Sequence, residues 1–195
     1  NNIDDFQGTI DDLNHVIKND KNNTNSINLR GQSYFNLQKF DLAIIDFNNV
    51  IELDNSIKEV FYLRGISNGL INNHNQAISD FTKAIILDPK NEKYYKNRLV
   101  SYIKLKKYKD AIKDYSMLIN MENTNKIDLI EKRASLHLLL KNNDSACKDW
   151  YTAKKLGSKD AESKIKKYCS VYDMRKKLNS KTKKKLLDKF KNKFD

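Results

Sequence analysis

The chain has 195 residues, 39% hydrophobic and 32% charged, with 37 Lys and Arg against 25 Asp and Glu and a formal net charge of +12. One proline and five glycines are too few for a turn-rich all-β protein, and the wealth of Leu, Ile, Lys, Glu, Gln and Ala predicts an all-α chain. No apolar run approaches the roughly 18–20 residues of a membrane span, and residues 1–20 are acidic and lack a signal peptide's apolar segment.

Arginine is scarce, five residues against 32 lysines, yet Arg30, Arg64, Arg98 and Arg133 recur at intervals of 34, 34 and 35. Asp12, Asp46, Asp80, Asp114 and Asp149 run beside them at 34, 34, 34 and 35. Self-similarity at one period marks a repeat architecture.

In chain order, residues 1–23 place Phe6, Thr9, Ile10, Asp12, Leu13 and Val16 in the positions that later units give to a second helix. The chain is therefore expected to open on the second helix of a truncated repeat. A lone second helix leaves an apolar face unpartnered, so the native polypeptide is expected to extend further towards the N-terminus. Complete units follow at 24–57, 58–91, 92–125 and 126–159, the last carrying one extra residue, Lys126. Each should form two helices, in 58–91 from about Glu59 to Leu70 and from about Asn75 to Leu87, stopped by Asp88-Pro89. Ala43, Ala77, Ala111 and Ala146 hold one second-helix column, and Phe47, Phe81, Tyr115 and Trp150 stand four residues later. The first helices supply Gly31, Gly65, Leu99 and Ala134 where the pair should approach closely. Residues 160–178 read as a capping helix and 179–195 as a basic amphipathic helix, with Leu186, Leu187, Phe190 and Phe194 on one side.

These columns resemble the tetratricopeptide repeat, a 34-residue helical hairpin. Leu99 departs from the glycine column, and the terminal proline survives only as Pro89. The resemblance implies a right-handed superhelical solenoid of antiparallel helix pairs. It also implies an inner groove, lined by first helices, that holds a peptide or helix of another protein. Carried onto this chain, the groove candidates are Asn28, Gln32 and Phe35, then Tyr62 and Ile66, then Lys93, Lys96 and Val100. Amide, aromatic and lysine groups beside an apolar strip suit a peptide of some acidic character. Chaperone-binding members grip a C-terminal carboxylate with a Lys, Asn, Asn, Lys, Arg set. In the register starting at Asn28 only Lys93 agrees, and one repeat later only Asn97, so that partner is disfavoured.

Each repeat pairs one arginine with one aspartate in number, so the two columns read as a ladder of structural ion pairs. The planar guanidinium fork suits a carboxylate better than lysine does. Spacing leaves two partners open for Arg64: Asp80 within its repeat or Asp46 across the joint.

No catalytic constellation is found: there is no glycine-rich phosphate loop, no CxxC, no HExxH and no nucleophile elbow. His15, His74 and His137 fall in different repeats. An enzyme, a cofactor and a metal site are not expected. Cys147 and Cys169 admit two readings, buried thiols or a disulfide between the last repeat and the cap, since a hairpin about Ser158 sets them at similar height. The likeness of ACKDWYTAKKLG and YC to the closing repeat of some bacterial and protist members adds a little weight to the second and leaves both readings open. A disulfide would indicate a secreted or periplasmic setting; free thiols would suit the cytoplasm.

Residues 174–195 hold ten Lys or Arg against two Asp, so the basic character belongs mainly to the tail. Lys183, Lys184, Lys185, Lys189 and Phe190 are candidate contacts to an anionic membrane or RNA. The 25 asparagines beside the lysine excess fit an AT-rich genome. The functional expectation is a non-catalytic scaffold or adaptor, with tail-driven binding or an architectural role in a larger complex as alternatives.

Overall fold

The computed structural model describes residues 3–121 and 125–191, with side chains described for 5–121 and 125–182. Eleven α-helices and no strand occur among the described residues. The helices are α1 (Ile3–Asn19), α2 (Thr24–Asn36), α3 (Phe40–Leu53), α4 (Lys58–Leu70), α5 (His74–Leu87) and α6 (Glu92–Lys104). They continue as α7 (Tyr108–Asn120), α8 (Lys126–Leu139), α9 (Asn143–Lys155), α10 (Ala161–Tyr168) and α11 (Ser170–Lys191). Contacts divide the chain into two compact units, residues 1–117 and 118–195, the division falling inside α7.

In the first unit consecutive helices pack as antiparallel pairs, and the first helices α2, α4 and α6 touch in succession. One core cluster gathers Ile27, Ala43, Phe47, Val50 and Val60; a second gathers Phe61, Ala84 and Tyr94. Apolar side chains at i, i+3, i+4 and i+7 drive this packing, because burying that stripe removes the most apolar surface from water. Gly65 serves close approach: a Cβ there would lie 2.7 Å from Cε1 of Phe81.

Every hairpin turn uses one device. Gln38, Asn72, Lys106 and Lys141 adopt positive φ, from 55° to 64°, each just past the C-cap of the first helix. The next residue then donates its backbone N–H across the turn: Lys39 to Tyr34, Asn73 to Asn68, Lys107 to Tyr102 and Asn142 to His137. This is the Schellman closure of a helix, built four times on residues other than glycine.

The second unit centres on Ala134, Ala146, Cys147, Trp150, Ile165 and Cys169, with Tyr168 stacked on Trp150 at 5.5 Å. Cys147 and Cys169 are joined as a disulfide, both fully buried. One expectation is corrected here. The cap predicted as one helix over 160–178, followed by another over 179–195, is instead a short α10 and a long α11 that runs unbroken through 179. The chain turns at Cys169, tied to α9, so α10 buries Ala161 and Ile165 while α11 sets Tyr172 against Tyr151.

Candidate functional site

The arginine and aspartate columns meet within each hairpin. Nη2 of Arg30, Arg64, Arg98 and Arg133 lies 2.6 Å from Oδ1 of Asp46, Asp80, Asp114 and Asp149 respectively. Nε of Arg30, Arg98 and Arg133 donates to the other oxygen at 2.8 to 2.9 Å, and Nε of Arg64 reaches both oxygens of Asp80 at 3.2 Å. These bonds bridge 16 positions, so the cross-joint pairing is excluded for Arg64. Asp46, Asp80 and Asp114 are at most 2% exposed. Burial lifts the carboxyls of Asp80 and Asp114 above their ordinary range, opposed by Arg64 and Asn68 at one and by Arg98 at the other. Asp12, the fifth member of the column, is exposed and pairs with no arginine among the described residues.

A column absent from the sequence reading completes the arrangement. Nη1 of Arg30, Arg64 and Arg98 donates to Asn14, Asn48 and Thr82, on the second helix of the preceding repeat, at 2.7 to 2.8 Å. The guanidinium therefore joins its own hairpin to the one before. The signal was present at intervals of 34, but it mixes amide and hydroxyl residues and has no single-letter pattern.

The predicted groove residues meet different fates. Asn28 and Gln32 bond each other, Gln32 Nε2 donating at 3.2 Å. Phe35 packs on the core of Ile27 and Phe47, edge-on to Phe40 at 5.8 Å. Tyr62 is half-buried against Tyr94 and Phe81, its hydroxyl accepting from Asn97 at 3.3 Å. Lys93 is exposed and makes no ion pair among the described residues, whereas Lys96 bonds Glu92 at 2.6 Å. Ile66 and Val100 come together with Gly65, Gly69, Leu70, His74 and Asn97 around a pocket of about 130 Å³ between α4 and α6. Leu70 and Val100 are 55% and 54% exposed. Gly69, Leu70 and His74 were missed as site residues; the nearest wall of a Cβ at Gly69 is Ala77, at 3.9 Å, so this glycine leaves open space. Nδ1 of His74 is buried and has no hydrogen-bond partner among the described residues.

The tail candidates Lys183, Lys184, Lys185, Lys189 and Phe190 have side chains outside the described residues; their backbone belongs to α11. Among the described residues no group of His, Cys, Asp and Glu could hold a metal ion, and no helix is long and apolar enough to cross a membrane.

The sequence profile of the tetratricopeptide repeat matches residues 24–57. No curated protein matches the chain. Among solved structures, a crystal structure of MamA is similar with TM-score 0.67 and 24% identity, over 84% of this chain and 92% of that one. MamA residues 41 to the end from Desulfovibrio magneticus RS-1 gives 0.63 and 14%, over 77% and 85%. YrrB, described as a TPR protein with an unusual peptide-binding site, gives 0.60 and 15%, over 74% of each chain. Members of this fold family are in general non-catalytic interaction modules. The repeated hairpins, their buried Arg–Asp pairs and these likenesses agree on the tetratricopeptide-repeat fold for this chain.

Proposed function

We propose that the chain is a non-catalytic adaptor that holds an apolar side chain of a partner peptide or helix in the pocket between α4 and α6. The supporting observation is the exposure of Leu70 and Val100 beside Ile66 and Gly69, an apolar recess that water occupies at a cost and a side chain would fill. Lys93 and Lys104, exposed on α6 and without ion pairs among the described residues, favour acidic residues flanking that anchor. YrrB's peptide-binding site belongs to YrrB, yet it makes peptide capture a natural use of the same fold.

Peptides selected from a display library on the whole protein, then titrated calorimetrically, test this. Gly69→Leu fills the recess and Val100→Glu charges its rim; each should weaken the selected peptides by about tenfold or more, a loss typical of an anchor residue. Ile45→Glu, on exposed α3 surface, should leave them unchanged. Equal affinity for wild type and Gly69→Leu would sink the pocket as the site. Contact of residues 180–195 with RNA or an anionic membrane is a separate proposal, tested by salt-sensitive binding that deletion of 180–195 abolishes.

A further inference from the structure

A column of buried serines runs down the first helices. Ser33, Ser67 and Ser101 stand at intervals of 34 on α2, α4 and α6, and they are 5%, 0% and 2% exposed. Oγ of Ser33 donates to the backbone carbonyl of Leu29 and Oγ of Ser67 to that of Leu63, each at 2.9 Å, the usual way a helix satisfies a hydroxyl of its own. Oγ of Ser101, at the same position of the next helix, makes no hydrogen bond among the described residues. Buried polar groups are as a rule paired, and this unpaired one lines the recess between α4 and α6.

Asn97, beside it in the recess, asks for the same kind of ligand. Its amide nitrogen donates to the Tyr62 hydroxyl at 3.3 Å and to the carbonyl of Lys93 at 2.9 Å, which uses both of its hydrogens. Its Oδ1 accepts nothing among the described residues. Around these two polar groups the recess is walled by Ile66, Gly69, Leu70 and Val100. The space is peculiar to this pair of helices, because Gly69 stands where α2 has Phe35 and α6 has Ile103, and Phe35 packs on its own core.

We propose that the recess recognises a threonine of the partner, its hydroxyl donating to Asn97 Oδ1 and accepting from Ser101 Oγ while its methyl lies on Ile66 and Val100. This rests on the peptide-binding reading above and names the side chain that serves as anchor. A hydroxyl donates and accepts at once, as the two open groups require. A carboxylate has no proton for Asn97, and an ammonium would enter an apolar recess with no acid among its lining residues. Valine has threonine's shape but leaves both Ser101 and Asn97 unpaired beneath it.

Peptides selected on the whole protein, with the anchor position found by alanine scanning, are remade with Thr, Val or Ser at that position and titrated calorimetrically. Wild type should bind the Thr form about tenfold more tightly than the Val form, the penalty of burying unpaired polar groups, and the Ser form should be weaker than Thr for want of the methyl. Ser101→Ala should weaken the Thr form and spare the Val form, so that the preference collapses. Ser67→Ala, which removes a hydroxyl that is already bonded and lies outside the recess, should leave the preference intact. Gly69→Leu should weaken all three forms together. A wild type that binds the Val form as well as the Thr form, or a preference that survives Ser101→Ala, overturns the threonine inference; if Gly69→Leu still weakens every form, the recess remains a peptide site with a purely apolar anchor. If Gly69→Leu weakens none of them, the pocket reading falls and this inference with it.

Discussion

Oδ1 of Asp80, 2% exposed, lies 2.6 Å from Nη2 of Arg64 on the other helix of its own hairpin, and Asn68 donates to the same carboxylate at 3.1 Å. Removing the guanidinium leaves a buried charge short of its main partner. Arg64→Ala is expected to cost ~3–5 kcal/mol, whereas Arg64→Ala with Asp80→Ala should cost less than the sum of the two single changes. Asp46 belongs to Arg30, so Arg64→Ala and Asp46→Ala should add to within about 0.5 kcal/mol. Urea unfolding of the two double-mutant cycles measures both couplings.

The same pair sets a pH dependence. Burial pushes the Asp80 carboxyl above 3.8, and Arg64 is the strongest influence opposing it. In Arg64→Ala the folded value rises further while the unfolded one is unchanged. Below about 3.8 Asp80 is neutral in both states, and above it the fold must hold a charge that the unfolded chain carries freely. The variant's deficit relative to wild type should be smallest in acid, grow as pH climbs through the raised folded value, and then level off. Urea midpoints for both proteins across that range give the curve; a deficit that grows towards acid would refute the assignment.

Two glycines on one helix should respond oppositely. At Gly65 an added Cβ meets the Phe81 ring at 2.7 Å, so Gly65→Ala should destabilise by about 1–3 kcal/mol, and Phe81→Leu should relieve part of it. At Gly69 a Cβ meets only Ala77 at 3.9 Å, and Gly69→Ala should stabilise by about 0.5–1 kcal/mol through helix propensity. Thermal melts of the three variants decide.

Cys147 and Cys169 close a loop with a sequence separation of 22, for which chain-entropy reasoning gives about 3 kcal/mol. Reduction, or Cys147→Ala with Cys169→Ala, should raise hydrogen exchange in α9, α10 and α11 and leave α2 to α5 unchanged. Uniform protection before and after reduction would show the bond to be dispensable.

Tyr151 donates its hydroxyl to Asp173 on α11 at 2.7 Å. That hydrogen bond first, then burial and nearby negative charge, pushes its phenol up to about 12. Because the folded value exceeds that of an ordinary tyrosine, near 10, the stabilisation is whole below about pH 10 and is lost as pH climbs through about 12. A spectrophotometric titration should show one late tyrosine that Tyr151→Phe removes.

Much of this fold is legible in the chain itself. The helices of 58–91 begin and end within a residue of expectation, because apolar spacing and Asp88-Pro89 mark both. The connectors were less legible. Their left-handed residues are Gln38, Asn72, Lys106 and Lys141, and three of the four give no glycine or asparagine signal, since the closure is held by the backbone bond across the turn. The pocket was half legible: Ile66 and Val100 follow from their columns, but Gly69 matters for the space it leaves, and a sequence shows residues rather than voids.

The sequence by itself determined that 34-residue helical hairpins repeat here, and that each carries one arginine and one aspartate, because a fixed period repeats every local environment with it. It could not choose between partners 16 and 18 positions away, since both fall in the same two columns. Only the tertiary structure decided that choice, by turning each second helix back along its own first helix so that the Asp lies beneath the guanidinium. It also decided that the chain bends at Cys169, because that depends on which surfaces meet rather than on which residues recur.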